Sequence, residues 1–244
     1  MEILPIKTLP SVFSLFKESF KIYKKYFWGL SGISIFYILL VIFHFLLNQI
    51  LIPTVVDQII FILGNILFTI ISLVLICAIK IYISSEQKIE RIVCWKKSVS
   101  LILPFFWITI LSILVLIGSF FLLIVPGIIM FIYLSFVSYS LVFENQKGLN
   151  SLLRSFQLIR GNWWGIFWRR LCLIFLILLI YFIFFFVMGF NGFYSLILLL
   201  QGNTFLFLLL DSIITVIITP LSLIYEYLIF DALVKQKPLE TFNP

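Results

Sequence analysis

The charged residues that flank the long apolar runs are the groups of this chain that could do chemistry. Those near the ends of the runs form a candidate charge network: Glu86, Glu144, Glu226, Asp231, Arg169 and Arg170. Ionisable residues inside membrane spans are costly, so they are functional candidates by default. Glu226 lies more than one helical turn before Asp231. Its charge is expected to be met by Arg169 or Arg170, or by water in a deeper groove. Acids at helix C-termini oppose the helix macrodipole, so basic groups are expected beside the acids that end the spans.

The sequence contains no set of residues typical of catalysis or of metal binding. His44 is the one histidine, whereas a zinc site typically takes three or four His, Cys or carboxylate ligands. The cysteines Cys77, Cys94 and Cys172 predict neither a disulfide framework nor a metal site. The serines have no histidine to activate them, and no phosphate-binding loop is present. We therefore predict a chain that is not an enzyme and that has no catalytic, cofactor-binding or metal site.

The composition predicts a protein that dissolves in lipid. Hydrophobic residues make up 63% of the chain and charged residues 11%, against about a quarter charged in soluble domains; the mean hydropathy is +1.23. A helical crossing needs roughly 20 apolar residues. Residues 1–244 are therefore predicted to form one all-α transmembrane domain of about six spans. The apolar runs lie near 27–50, 56–84, 101–124, 126–143, 166–190 and 204–233.

The basic residues predict the orientation of these spans. All 17 lysines and arginines lie before the first span, after the last, or in and beside the connections between the second and third and the fourth and fifth spans. Three of them, Lys80, Arg169 and Arg170, fall just inside the ends of their apolar runs. Under the positive-inside rule both termini are then cytoplasmic. The net charge of +7 becomes a feature of the cytoplasmic membrane surface, and nucleic acid is not an expected partner. Between the third and fourth spans, Pro126 and Gly127 predict a tight hairpin.

A duplicated phrase indicates an internal repeat. Residues 19–30 read SFKIYKKYFWGL and residues 155–166 read SFQLIRGNWWGI, with Ser, Phe, Trp and Gly in register. A weaker copy begins at Ser98. Apolar residues recur at helical spacing through each copy: Phe13, Phe16, Phe20, Tyr23 and Phe27; Leu149, Leu152, Phe156, Ile159 and Trp163; Ile92, Trp95, Val99, Ile102 and Phe106. We predict three units, about 10–84, 88–144 and 146–234, each an interfacial amphipathic helix followed by a helical hairpin.

These amphipathic helices are the predicted contact with the membrane surface. Basic residues occupy the positions between the apolar ones, and tryptophans lie where each helix meets its span. The membrane-interface candidates are Lys21, Lys24, Trp28, Arg154, Arg160, Trp163 and Trp164. The chain is expected to turn from the interface into the membrane near Gly29 and Gly165, because a missing side chain eases a bend.

The third unit, together with the residues that lead into it, carries a pattern that can be compared with a known family. A Pro-Gly turn, a span ending in Glu and a Ser-containing helix with a basic-Gly-Asn-Trp ending are formed by Pro126, Gly127, Glu144, Ser155, Arg160, Gly161, Asn162 and Trp163. The tail adds Tyr227, Phe230, Asp231 and Lys235, although Ala232 and Leu233 follow the Asp where a basic residue is common.

This pattern resembles the membrane domain attached to some bacterial glycerophosphoryl diester phosphodiesterases, and the related free-standing inner-membrane proteins of the YciC type. The resemblance implies a membrane module without the hydrolase. The phosphodiesterase barrel needs about 250 residues of its own and a site with several His and carboxylate groups.

Two functions from different classes follow from these observations. The first is a non-enzymatic protein of the bacterial cytoplasmic membrane that engages lipids, anionic ones in particular, or a protein partner in the membrane. Interfacial lysines and arginines attract anionic headgroups by roughly 1 kcal/mol each. The alternative is a small-solute or lipid transporter with a three-repeat architecture like that of mitochondrial carriers, whose Pro-x-acid-x-x-basic signature is missing here. A polar central cavity would favour transport, whereas a core of Phe and Leu would count against it.

Overall fold

The computed structural model of the chain describes residues 9–39, 42, 53–85, 91–189 and 204–239. The secondary-structure elements of this part are all helices, in agreement with the predicted all-α class. In chain order they are α1 (Val12–Ser34), α2 (Pro53–Ser85), α3 (Arg91–Val99), α4 (Ile102–Leu122), α5 (Ile124–Tyr133), α6 (Val137–Glu144), α7 (Leu149–Ile159), α8 (Trp163–Gly189) and α9 (Thr204–Gln236).

Five segments of the described chain are long and apolar enough to cross a membrane, as expected of a multi-pass membrane protein. They are 62–83, 102–121, 124–144, 163–184 and 210–236. These segments correspond to the second to sixth predicted spans. The first predicted span, 27–50, extends beyond the described residues, so the part of it after residue 39 lies almost wholly outside them.

The hairpin predicted from Pro126 is formed by α4 and α5. Leu123 has an extended backbone (φ −174°, ψ 158°) and separates the two helices. Pro126 lies in the first turn of α5, where the backbone N–H groups have no partner within the helix, so proline removes no helical hydrogen bond. The two helices pack against each other.

The fourth predicted span is a broken helix. It consists of α5 and α6, which are separated by a turn over 134–136. Leu134 and Phe136 depart from helical dihedral angles, with ψ of −5° and 10°. The apolar run through this region predicts one continuous helix, so the interruption is a feature that the sequence pattern does not show.

The protein core lies where α1 packs along α9 and beside α2. The ring of Phe16 in α1 lies 4.7 Å from that of Tyr225 in α9, and Tyr26 stacks on Tyr82 of α2 at 4.9 Å. Most of the largest fully buried side chains are aliphatic or aromatic: Tyr139, Tyr225, Phe136, Leu15, Leu30, Ile33, Ile71, Leu73, Leu75, Ile79 and Ile108. The described core is therefore filled mainly by apolar side chains.

The bends next to the duplicated phrases do not fall at the expected glycines. α1 is kinked at Tyr26 (φ −112°, ψ 17°), before Gly29. The break between α7 and α8 spans 160–162, whereas Gly165 lies inside α8. With the phrases aligned at an offset of 136 residues, Tyr26 and Asn162 are equivalent positions. The first and third copies therefore bend at matching points, a few residues earlier than predicted.

Two glycines near these bends have different roles. Gly161 has a φ of +89°, which L side chains rarely adopt, so it permits the turn between α7 and α8. Gly29 is helical, and the ring of Tyr82 lies so close to it that an added Cβ would collide with the phenol. Gly29 therefore serves the packing of α1 on α2 and not the bend.

The second copy resembles the first at its buried face and differs at its bend. Cys94 and Ser98 are buried, and the Ser98 hydroxyl donates to the Cys94 carbonyl at 2.7 Å. Ser19 of the first copy donates to Leu15 in the same way. The break between α3 and α4 falls at 100–101, which aligns with residues 21–22 of the first copy, ahead of the kink there.

Candidate functional site

One face of α1 exposes aromatic and basic side chains together. Phe13, Phe20 and Trp28 are 79%, 61% and 81% exposed. The lysines of this helix are exposed as well: Lys17, Lys21, Lys24 and Lys25. Residues three or four positions apart share a helix face, so the aromatic and basic groups alternate along one surface. We call the surface formed by Phe13, Lys17, Phe20, Lys21, Lys24 and Trp28 the aromatic-lysine face.

The opposite face of α1 is packed against the protein. Leu15, Ser19 and Tyr23 are buried, and Phe16 is half-buried against Tyr225. The apolar stripe predicted from the sequence therefore divides in two. Phe13 and Phe20 remain exposed, whereas Phe16 and Tyr23 serve the core.

The third copy exposes fewer of its predicted interface residues. Leu149 of α7 and Trp164 of α8 are exposed, and Arg160 between the helices is exposed too. Trp163 is half-buried and stacks on Phe167 at 5.2 Å. Its Nε1 atom is buried, and no hydrogen-bond acceptor of the described residues reaches it.

Arg154 was expected to face the membrane surface, but it does not. Its side chain is fully buried, and Nη2 lies 2.7 Å from Oε1 of Glu144, at the end of α6. Nε donates to both oxygens of the same carboxylate, and Nη1 donates to Oε1 of Gln157. A buried charge is tolerable only when it is paired and hydrogen-bonded, and the Arg154 guanidinium is both.

Lys237, directly after α9, also takes part in this buried cluster. Nη2 of Arg154 donates to the Lys237 carbonyl at 2.7 Å. In return, Nζ of Lys237 donates to the carbonyls of Gln157, Leu158 and Arg160 at the end of α7. Lysine at a helix C-terminus compensates the negative end of the macrodipole. Burial, with the nearby positive charges of Arg154 and Arg160, lowers the pKa of Lys237 from its ordinary value.

Ser155, on the same helix as Arg154, fills the break in the fourth span. Its hydroxyl donates to the Tyr133 carbonyl at 2.6 Å and accepts from the Phe136 N–H at 3.2 Å. These are backbone groups at the end of α5 and the start of α6. Buried backbone groups without partners are costly, so this one hydroxyl compensates for the interruption.

The remaining members of the charge network form separate contacts. Nη2 of Arg170 lies 2.5 Å from Oε1 of Glu226. Asp231 pairs with Lys235, one turn further along α9, and both are substantially exposed. The basic group expected beside Asp231 is therefore Lys235 of its own helix.

Arg169 contacts carbonyl groups and not Glu226. It donates to the backbone oxygens of Leu9, Pro10 and Gly165 at 2.7–2.9 Å. The arginine thereby ties α8 to the residues that precede α1. Lys80 makes a similar contact, donating to the carbonyl of Val142 at 2.5 Å near the end of α6.

Two residues singled out from the sequence, Glu86 and His44, lie outside the described residues. Within them, no group of three His, Cys, Asp or Glu side chains is placed to hold a metal ion. Cys77 and Cys94 are buried, and Cys172 is exposed.

The sequence did not predict the hydrogen bonds by which Arg154, Ser155 and Lys237 join α7 to neighbouring parts of the chain. The available signals were weak. Arg154 follows Glu144 by ten residues, and Ser155 is the serine that the repeated phrases share. No sequence pattern predicted the contact between Lys237 and Arg154, which are 83 residues apart.

The comparisons with known proteins leave the chain without an assigned relative. No protein-family model matches it, and no curated protein or solved structure is significantly similar to it.

Proposed function

We propose that this chain is a non-enzymatic module of the bacterial cytoplasmic membrane that binds anionic lipid through the aromatic-lysine face of α1. In this proposal the chain spans the membrane six times as three repeated units, and both termini are cytoplasmic. The same surface is also available to a protein partner in the membrane. The resemblance to the phosphodiesterase-associated and YciC-type membrane proteins belongs to this proposal.

The observation that carries the proposal is the joint exposure of Phe13, Phe20 and Trp28 with the lysines between them. In water, three exposed aromatic side chains on one helix would be unfavourable. At a membrane surface, the rings insert at the level of the acyl boundary while the lysine amines extend towards the phosphates. Each amine adds roughly 1 kcal/mol of attraction to anionic lipid.

The packing of the core supports this function over transport. The described core between α1, α2 and α9 is filled by side chains such as Leu15, Leu30, Ile33 and Leu75. The charged residues that are buried lie in paired contacts, Arg154 with Glu144 being the clearest. These contacts fasten helices to one another, which suits a scaffold better than a solute pathway.

The test replaces three lysines of the aromatic-lysine face, K17Q, K21Q and K24Q together. The protein is reconstituted in nanodiscs of mixed phosphatidylcholine and phosphatidylglycerol, and the lipids that remain bound are measured by native mass spectrometry. The summed attraction of three lysines is about 3 kcal/mol, so the preference for anionic lipid should fall at least tenfold.

A control variant with the same net charge separates this face from general electrostatics. Lys96, Lys147 and Lys235 are exposed lysines outside α1, and K96Q, K147Q and K235Q together remove the same three charges. We expect this variant to keep most of its anionic-lipid preference. An equal loss in both variants, or no preference in the unmodified protein, would contradict the proposed role of α1.

A further inference from the structure

A groove with both polar and apolar lining lies between α4, the break that separates α5 from α6, and α8. Its volume is about 220 Å³, and one water in the liquid occupies about 30 Å³, so the groove can hold a group of several heavy atoms. The polar side chains of its lining are Thr109 and Ser112 of α4, Ser135 and Ser138 at the break, and Arg170 of α8. None of these residues belongs to the aromatic-lysine face.

Arg170 lines this groove and has one donor atom without a partner among the described residues. Its Nη2 is paired with Glu226, and the guanidinium carbon lies 5.5 Å from the centre of the Phe131 ring. Its Nη1 is buried, and no hydrogen-bond acceptor of the described residues reaches it. Leaving a charged donor buried without an acceptor is costly. The groove therefore favours a ligand that supplies an acceptor oxygen.

The hydroxyl groups extend this polar surface. Thr109 donates to the Phe105 carbonyl and Ser135 to the Ile132 carbonyl, so the hydrogens of these two hydroxyl groups are already used within the protein. Hydroxyl groups both donate and accept, and those of Ser112 and Ser138 line the same wall. A ligand with several oxygen atoms fits such a lining.

The apolar part of the groove indicates that this ligand is a lipid. Ile113 and Phe131 line the groove and are 48% and 46% exposed on span segments. Side chains exposed there contact acyl chains in a bilayer. Arg170 lies seven residues after Trp163, or about 10 Å along the helix axis. The groove thus opens sideways to lipid and lies below the tryptophans at the start of α8.

We propose that this groove binds the phosphate group of one membrane phospholipid, with an acyl chain lying along Ile113 and Phe131. Glu226 offsets part of the arginine charge, so a phosphate with a single negative charge suits the site. Arg170 Nη1 and the hydroxyl groups of Ser112 and Ser138 donate to its oxygens. This inference does not rest on the proposed function of α1, because the two surfaces share no residue.

The test fills the groove without touching the ion pair. S138L and S112L place an apolar side chain where the phosphate would bind, and T69L is the matched control on another span, because the Thr69 hydroxyl donates to Asn65 of its own helix. After purification in mild detergent, bound phospholipid is measured by native mass spectrometry and by phosphorus content. We expect about one tightly held lipid in the unmodified protein and T69L, and at least a fivefold loss in S138L and S112L.

Additional variants test whether the loss of bound lipid comes from the contact with the phosphate group. The double variant R170Q and E226Q removes the donor while keeping the pair neutral, and it should lose the lipid to a similar extent. The triple variant K17Q, K21Q and K24Q should retain it. Millimolar inorganic phosphate should not displace it, since displacement would show that the site takes free phosphate. Retention of the lipid in S138L or in the R170Q and E226Q variant would overturn the proposal, provided thermal unfolding and size exclusion show that the variants fold.

Discussion

Arg154 Nη2 lies 2.7 Å from Glu144 Oε1, with the two side chains 0% and 8% exposed. This pair joins the end of the broken fourth span to the helix that follows it. The same guanidinium also binds the Lys237 carbonyl, so three parts of the chain meet at one buried arginine. In this part of the protein, the charged residues determine how the helices are fastened together.

Replacing Arg154 should strongly destabilise the protein. R154Q leaves Glu144 buried without its partner, and breaking a buried pair costs about 3–5 kcal/mol. Unfolding free energies in mixed detergent micelles measure the loss. The double variant R154L and E144L removes both charges, so it should recover a substantial part of the stability.

The exposed pair between Lys235 and Asp231 provides the comparison. These side chains are one turn apart and are 63% and 32% exposed. Exposed pairs contribute about 0–1 kcal/mol, so K235Q should cost far less than R154Q. Equal losses for R154Q and K235Q would contradict the structural role assigned to the buried pair.

Ser155 should be needed for the interrupted helix. S155A removes the partner of both the Tyr133 carbonyl and the Phe136 N–H, and each buried unsatisfied group costs about 1–3 kcal/mol. Hydrogen exchange should report faster exchange at the Phe136 amide, together with a lower unfolding free energy.

Ser19 is the matched control, because it occupies the equivalent position of the first copy. Its hydroxyl donates to the Leu15 carbonyl of its own helix at 2.7 Å. Such contacts contribute little to helix stability, so S19A should change the unfolding free energy by less than about 0.5 kcal/mol. A larger cost for S19A than for S155A would show that the helix break does not depend on the Ser155 hydroxyl.

The spans and the α4–α5 hairpin could be predicted because their causes are local. A run of apolar residues is enough to favour a span, and proline after a turn favours the first turn of a helix. The break at 134–136 could not be predicted in this way. Its residues carry no proline or glycine, and the hydroxyl that stabilises it comes from Ser155, 19 residues away from Phe136.

The burial of Arg154 could not be predicted from the sequence, for a related reason. Helical spacing puts this residue among the polar positions of α7, and polar positions of an amphipathic helix are expected to face water. Its actual surroundings are supplied by Glu144 and by the carbonyl of Lys237. Periodicity describes one helix, whereas these partners come from two other parts of the chain.

Glycine substitutions should separate turn glycines from ordinary helical ones. Gly161 has a φ of +89°, and a left-handed conformation costs a non-glycine residue about 1–2 kcal/mol, so G161A should lower the unfolding free energy. Gly118 lies inside α4, and an added Cβ would meet nothing within 4 Å. G118A should therefore be neutral or stabilising, by up to about 1 kcal/mol. Equal effects of the two substitutions in micelles would contradict the geometry of the α7–α8 turn.

The contribution of Lys237 should depend on pH. Burial and the charges of Arg154 and Arg160 lower the pKa of Lys237, so the folded protein holds this proton less tightly than the unfolded chain does. Between the lowered pKa and the ordinary value of about 10.4, the unfolded state binds more protons, and stability from this side chain rises with pH. K237M removes the titrating amine and keeps an unbranched stem. The difference in unfolding free energy between the unmodified protein and K237M should therefore shift in favour of the unmodified protein as pH rises from 8 to 10. A difference that stays constant, or that shifts the other way, would show that the amine is not held in the buried position at the end of α7.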